Sequence, residues 1–169
     1  MLSVIVLASD DAAAIETTLR GLVEGALAGT VLDVTVLRPE GSSAGETVER
    51  LCEAMGAELA DAGRARDCAY AARADWLLLL QAGAAPVGDW QRVVATHIAR
   101  GGGAARFRTR EASSIWRWLF GRARDPLRSG FLAPKPIVMN ALRTGPIATV
   151  PLGRAGKVLD AELKPASAS

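Results

Sequence analysis

A chain of 169 residues, half of them hydrophobic, is long enough for one domain with its own core and too apolar for general disorder. No apolar run approaches the roughly 20 residues that a membrane-spanning helix needs. The net charge of +2 conceals an asymmetry: residues 1–99 hold seven Lys/Arg against fourteen Asp/Glu, and residues 100–169 hold thirteen against four. Such a split predicts either a basic face that meets an anionic partner or two halves that neutralise each other.

In chain order, the opening MLSVIVLASDD lacks a basic start and is too short for a signal peptide, so Ser3 to Ala8 reads as a strand buried on both faces. Asp10 or Asp11 is placed to cap the next helix, whose apolar stripe runs through Ile15, Leu19, Leu22, Val23 and Ala26 and stops at Gly29. A second strand spans Val31 to Leu37. Ser43 with Glu46 has capping-box form, ahead of a helix with Val48, Leu51, Cys52 and Met55 inside. A short strand near 57–60, a helix near 64–73 and a strong strand over 75–80 follow. The helix at about 88–100 packs Trp90, Val93, Val94, His97 and Ile98 on one side, and the single histidine reads as a packed structural residue. Beyond it the pattern predicts a strand in 103–110, a helix around Ile115 to Phe120, a strand near 130–133, a helix near 135–143 and a short hairpin within 147–160. Cys52 and Cys68 both fall in helical patterns and read as reduced core residues, which suits a cytoplasmic protein.

Strands and helices alternate through the first hundred residues, so the expected architecture is α/β: a mostly parallel central sheet flanked by helices in three layers. Ligands bind such sheets beyond the carboxyl ends of the strands. Three loops are then the candidates: Ala8 to Asp11, Arg38 to Ser43, and Gln81 to Pro86. No Gly-x-Gly-x-x-Gly or Gly-x-x-x-x-Gly-Lys loop follows a strand, which disfavours the common dinucleotide and phosphate-loop folds.

Four stretches, in order, carry a resemblance. Ser3-Val4-Ile5-Val6 with the Asp10-Asp11 helix start is similar to Ser-Val-Ile-Ile-Pro-x-x-Asn-Glu. Asp33 to Leu37 followed by Gly41-Ser42-Ser43-Ala44-Gly45-Glu46-Thr47 is similar to a second strand and its Asp-Gly-Ser-Thr-Asp-Gly-Thr loop. Gly63-Arg64-Ala65-Arg66 matches a Gly-Arg-Ala-Arg helix start. Asp75 to Ala84, with Pro86 and Trp90 after it, is similar to Asp-Trp-Leu-Leu-Phe-Leu-His-Ala-Asp-Thr and its Pro-x-x-Trp. These stretches resemble the family-2 glycosyltransferases over residues 1–110. The resemblance implies a Rossmann-like GT-A fold on one domain, 1–162, with 1–110 as the nucleotide-sugar-binding half, 111–162 as a reduced acceptor-side half and 163–169 as a flexible tail. It implies nucleotide-sugar contacts from Ala8, Ser9, Asp10, Glu40, Gly41, Arg64, Arg66, Gln81, Ala82 and Gly83.

The departures from the family pattern set the rest. Arg38-Pro39 stand where the family commonly has a base-contacting aspartate, and Gln81 and Gly83 stand where two aspartates hold the divalent metal. Mg²⁺ and Mn²⁺ prefer carboxylate oxygens, so no metal site and no other cofactor is expected. Arginine is the substitute the chain offers for neutralising a diphosphate, through Arg64, Arg66, Arg106 and Arg108. The family's later catalytic Glu-Asp has no counterpart, and no catalytic residue is assigned. Two readings stay open: a divergent glycosyltransferase, or a non-catalytic binding or partner module on the same scaffold.

Residues 106–128 hold seven arginines against Glu111 and Asp125, with Trp116, Trp118 and Phe120 among them. Arg106, Arg108, Trp116, Arg117, Trp118 and Phe120 therefore predict either a surface for an anionic membrane, at the inner face, or for a partner protein, or an ordinary amphipathic helix whose tryptophans complete the core. Nucleic acid suits the same chemistry without support from the fold.

Overall fold

The computed structural model describes residues 1–39, 41–42, 45–109, 126–143 and 157–164. Eight strands form one sheet: β1 (Leu2–Leu7), β2 (Val31–Arg38), β3 (Glu58–Asp61), β4 (Trp76–Gln81), β5 (Ala85–Val87), β6 (Ala105–Thr109), β7 (Phe131–Pro134) and β8 (Lys157–Lys164). The spatial order is β3-β2-β1-β4-β7-β6-β8-β5. The first half is parallel, with β2 against β1 and β3, and β1 against β4. Beyond β4 the sheet is mixed: β7 runs antiparallel to β4 and β6, β8 is parallel to β6, and β5 closes the edge antiparallel to β8.

Side-chain alternation on the central strands divides the core in two. Val4, Val6, Leu78 and Leu80 face one layer with Ile15, Leu19 and Leu22 of α1 (Ala12–Leu27), Val48 and Cys52 of α2 (Gly45–Met55), and Trp90 and Val94 of α4 (Trp90–Ala99). Ile5, Leu77 and Leu79 face the other, with Ala65, Cys68 and Ala69 of α3 (Ala65–Ala71) and Val138 of α5 (Lys135–Ala141). The four leucines of β4 are fully buried, which is why that strand reads as a continuous apolar run rather than an alternating one. The two cysteines belong to opposite layers, and burial pushes both thiols up, so each behaves as a small core residue.

Helix α1 approaches the sheet edge closely because two of its positions carry no side chain. A Cβ on Gly21 would stand 2.8 Å from Ala85 Cβ, and one on Gly25 would stand 2.6 Å from the Trp90 ring. His97 is buried as expected; its Nε2 lies 2.7 Å from Gly103 O and its ring meets Trp76 edge-on at 5.8 Å.

Several boundaries differ from the sequence expectation. Ala85-Pro86-Val87 is a strand, so the loop after β4 comprises only Ala82, Gly83 and Ala84. Proline is tolerated there because β5 is an edge strand. Strand β8 runs through Leu163 and Lys164, paired with Pro86 and Ala85, so these two residues belong to the sheet rather than to a tail. The helix expected around Ile115 to Phe120 and residues 147–156 of the expected hairpin lie outside the described residues.

Candidate functional site

The chain leaves β1 outward to β2 and β3, then returns to β4 on the other side of β1. That reversal marks the place beyond the carboxyl ends of β1 and β4 where sheets of this kind have a crevice that seats ligands. Leu7 and Gln81, the last residues of the two strands, are register partners at its floor. Backbone bonds tie the floor together: Ala8 N–H donates to Leu37 O, and Ala82 N–H to Leu7 O, both at 2.8 Å.

The loops after β1 and β2 meet. Asp11 is the N-cap of α1, its Oδ1 accepting from Ala13 N–H at 2.9 Å. Asp10 is thereby left outside the helix, and Ser42 Oγ donates to its Oδ1 at 2.7 Å. Asp10 and Gly41 are exposed, and Ala8, Ser9 and Ser42 half-buried, so this corner presents a carboxylate, hydroxyls and backbone to solvent. Gly41, at φ +77°, makes the tight turn that returns Ser42 to Asp10. Glu40 lies outside the described residues.

At the end of β2, Arg38 is engaged by the protein itself. Its Nε donates to Asp61 Oδ1 at 2.7 Å and its Nη1 to Glu49 Oε1 at 3.3 Å; Asp61 is its register partner at the end of β3. The bond and charge of Asp61 hold the guanidinium above its already high range. Arg64, in the single 3₁₀ turn after β3, and Arg66, in the first turn of α3, are exposed with no ion-pair partner among the described residues. Both follow the carboxyl end of β3 directly in the chain.

The loop after β4 is built differently. Gly83 N–H donates to both Ala14 O (2.9 Å) and Thr18 Oγ1 (2.8 Å) on α1, and Thr18 Oγ1 in turn donates to Ala14 O at 3.3 Å. Ala82 and Ala84 are buried. Gly83 sits at φ +89°, where an L side chain is strained. The residues here do not fit a divalent metal. Gln81 offers one neutral oxygen, Gly83 offers no side chain, and no group of three His, Cys, Asp or Glu side chains converges among the described residues. One further feature stands out: Gln81 Oε1 is the only buried side-chain nitrogen or oxygen among the described residues without a hydrogen-bond partner.

The residues expected to form a basic surface are placed only in part. Arg106 is half-buried on β6, and exposed Arg108 pairs with Asp160 of β8 at 2.9 Å. Trp116, Arg117, Trp118 and Phe120 lie outside the described residues. Among the described residues no helix is long and apolar enough to cross a membrane.

Sequence reasoning missed Thr18 and the Ser42–Asp10 contact. Thr18 had a signal: a hydroxyl inside the apolar stripe between Ile15 and Leu22 needs a buried partner. The Ser42–Asp10 contact joins loops 32 residues apart and had none.

No protein-family model matches the chain, and no curated protein matches it by sequence. Solved structures do. Glucosyl-3-phosphoglycerate synthase from Mycobacterium tuberculosis aligns over 100% of this chain and 72% of its own length, with 17% identity and a TM-score of 0.64. The same enzyme bound to Mn²⁺, UDP and phosphoglyceric acid aligns at 16% identity and a TM-score of 0.64. S. aureus TarS 1–349 in complex with UDP covers 82% of this chain and 48% of its own, at 11% identity and a TM-score of 0.59. At such identities the likeness shows the fold, and the fold of this chain is the three-layer, Rossmann-like GT-A fold of those glycosyltransferases.

Proposed function

We propose that this chain binds a nucleotide sugar at the carboxyl ends of β1, β2 and β4, and does so without the Mn²⁺ that accompanies UDP or UDP-glucose in the M. tuberculosis synthase complexes. The observation that carries the reading is the meeting of the β1 and β2 loops through Ser42 and Asp10 at the edge of the crevice. The structural neighbours supply the ligand class, since they were solved with UDP or UDP-glucose. The nucleotide would lie over Ala8, Ser9, Asp10 and Gly41, with Glu40 beside them in sequence. Arg64 and Arg66 would provide the charge that faces the diphosphate, because a guanidinium fork binds phosphate oxygens in pairs. The reaction class, if the chain is catalytic, is hexosyl transfer from the nucleotide sugar.

A second reading is a non-catalytic binding or partner module on the same scaffold. Gln81 and Gly83 favour it, because an amide and a glycine at φ +89° stand where a metal-dependent transferase needs carboxylates. Arg106 and the basic, aromatic segment after it make an anionic membrane surface or a partner protein the docking candidate for either reading. Thermal stabilisation by UDP, GDP, UDP-glucose and GDP-mannose, each in EDTA and in Mn²⁺, tests the binding claim. A shift with UDP or UDP-glucose that is equal in EDTA and Mn²⁺ supports it, and no shift with any of the four defeats it. Release of free glucose from UDP-glucose, or its transfer to an added acceptor, separates the transferase from the module.

A further inference from the structure

Arg38 carries an inference that deepens this reading and rests on it. Arg64 and Arg66 can meet a diphosphate only while no protein carboxylate holds them. Two carboxylates flank the pair in the chain. Asp67 lies exposed in the first turn of α3. Asp61 ends β3 and is the N-cap of the 3₁₀ turn Ala62–Arg64. An N-cap carboxylate ordinarily folds back over the turn that it opens. Asp61 does not: it makes no capping bond, and its Oδ1 accepts from Arg38 Nε at 2.7 Å instead. The parallel register of β2 and β3 sets the two residues side by side, and Glu49 of α2 accepts from Arg38 Nη1 at 3.3 Å.

This bond does little for the stability of the fold. The Arg38 and Asp61 side chains are 34% and 51% exposed, and ion pairs so open to water contribute little to folding. Its consequence is local. Positions three apart in a 3₁₀ turn line up, so a carboxylate released from Arg38 swings back toward Arg64 and neutralises it. A phosphate must then displace that carboxylate before the guanidinium can bind it. We infer that Arg38 is a positioning residue: by engaging Asp61 it keeps that carboxylate off Arg64, and so leaves the Arg64–Arg66 pair open to the diphosphate of a nucleotide sugar. Arg38 thereby supports the site without touching the ligand.

Calorimetric titration with UDP in EDTA tests it on wild type and four variants of the full chain. Asp67 is common to all five, so its own pull on Arg64 cancels. Arg38→Met binds UDP about three- to fivefold more weakly than wild type, the size of the exposed ion pair that the phosphate now displaces, while Tm stays within about 3 °C. Arg38→Met/Asp61→Asn regains wild-type affinity, because the competing carboxylate is gone. Arg38→Met/Glu49→Gln has the same net charge and stays as weak as Arg38→Met. Asp61→Asn alone binds UDP no more weakly than wild type, and this variant decides the matter if Arg38→Met fails to fold. An unchanged affinity in Arg38→Met overturns the inference. A double variant with Asp61→Asn that stays weak also overturns it, since Arg38 then serves the ligand or the fold in its own right. Equal rescue by Glu49→Gln reduces the effect to net charge and overturns it. A loss in Asp61→Asn alone overturns it as well. In each of these cases wild type still binds UDP and the nucleotide reading stands; wild type that binds no UDP defeats that reading and the inference together.

Discussion

The two sides of the crevice are built on opposite plans. The loops after β1 and β2 are polar, exposed or half-buried where described, and Ser42 of one donates to Asp10 of the other. The loop after β4 is three residues of alanine and glycine, folded against α1 and held by Thr18 and Ala14. Polar side chains thus reach solvent on the first side, and internal packing closes the second. The difference teaches that the β4 loop differs from a carboxylate-lined site in its backbone as well as in its side chains. The backbone of Gly83 has settled at φ +89°, and its N–H is committed to the protein.

The contrast can be broken at four places. Trp90→Ala has the largest expected effect. It empties the fully buried site beneath Gly25 that keeps α1 and α4 together behind the β4 loop, and should destabilise the chain by about 3–5 kcal/mol in urea denaturation. Gly83→Asp restores the acid in name only. The strained backbone should cost roughly 1–3 kcal/mol, and calorimetric titration should show no gain of Mn²⁺ binding. Recovery of tight Mn²⁺ binding by that single change would refute the view that the backbone excludes the metal. Thr18→Val removes one of two acceptors for Gly83 N–H and should cost about 1 kcal/mol, with faster amide exchange at Gly83. Ser42→Ala is the opposite case. Its effect on stability should stay within about 0.5 kcal/mol, because the site is open to water, whereas the thermal shift produced by UDP should shrink. If Ser42→Ala destabilises the fold as much as Thr18→Val does, the two sides of the crevice are not built differently.

The sequence was most legible where hydrophobic pattern and fold agree. The apolar runs of β1 and β4, the α1 stripe through Ile15, Leu19 and Leu22, and the buried His97 could each be read from periodicity, because burial on one or both faces imposes it. Strand β5 was hidden by Pro86, which argues against a strand unless the strand lies at an edge, as it does here. Strand β8 was hidden for a related reason: its partners, β6 and β5, lie some 50 to 80 residues away, and Lys157 to Lys164 alternates too weakly to declare itself alone. At the site, the absence of carboxylates at 81 and 83 was visible directly. That Arg38 is taken up by Asp61 and Glu49, rather than open to a ligand, depends on the β2–β3 register and could only be seen in the fold. The unpaired Gln81 oxygen is of the same kind, since a missing partner is a property of three-dimensional surroundings.

Calorimetric titration of the full chain with UDP, once in EDTA and once in Mn²⁺, tests the central claim most directly. The account predicts saturable binding in both, with dissociation constants that agree within about twofold, since no group at the crevice prefers the metal complex. Binding that appears only when Mn²⁺ is present would contradict it.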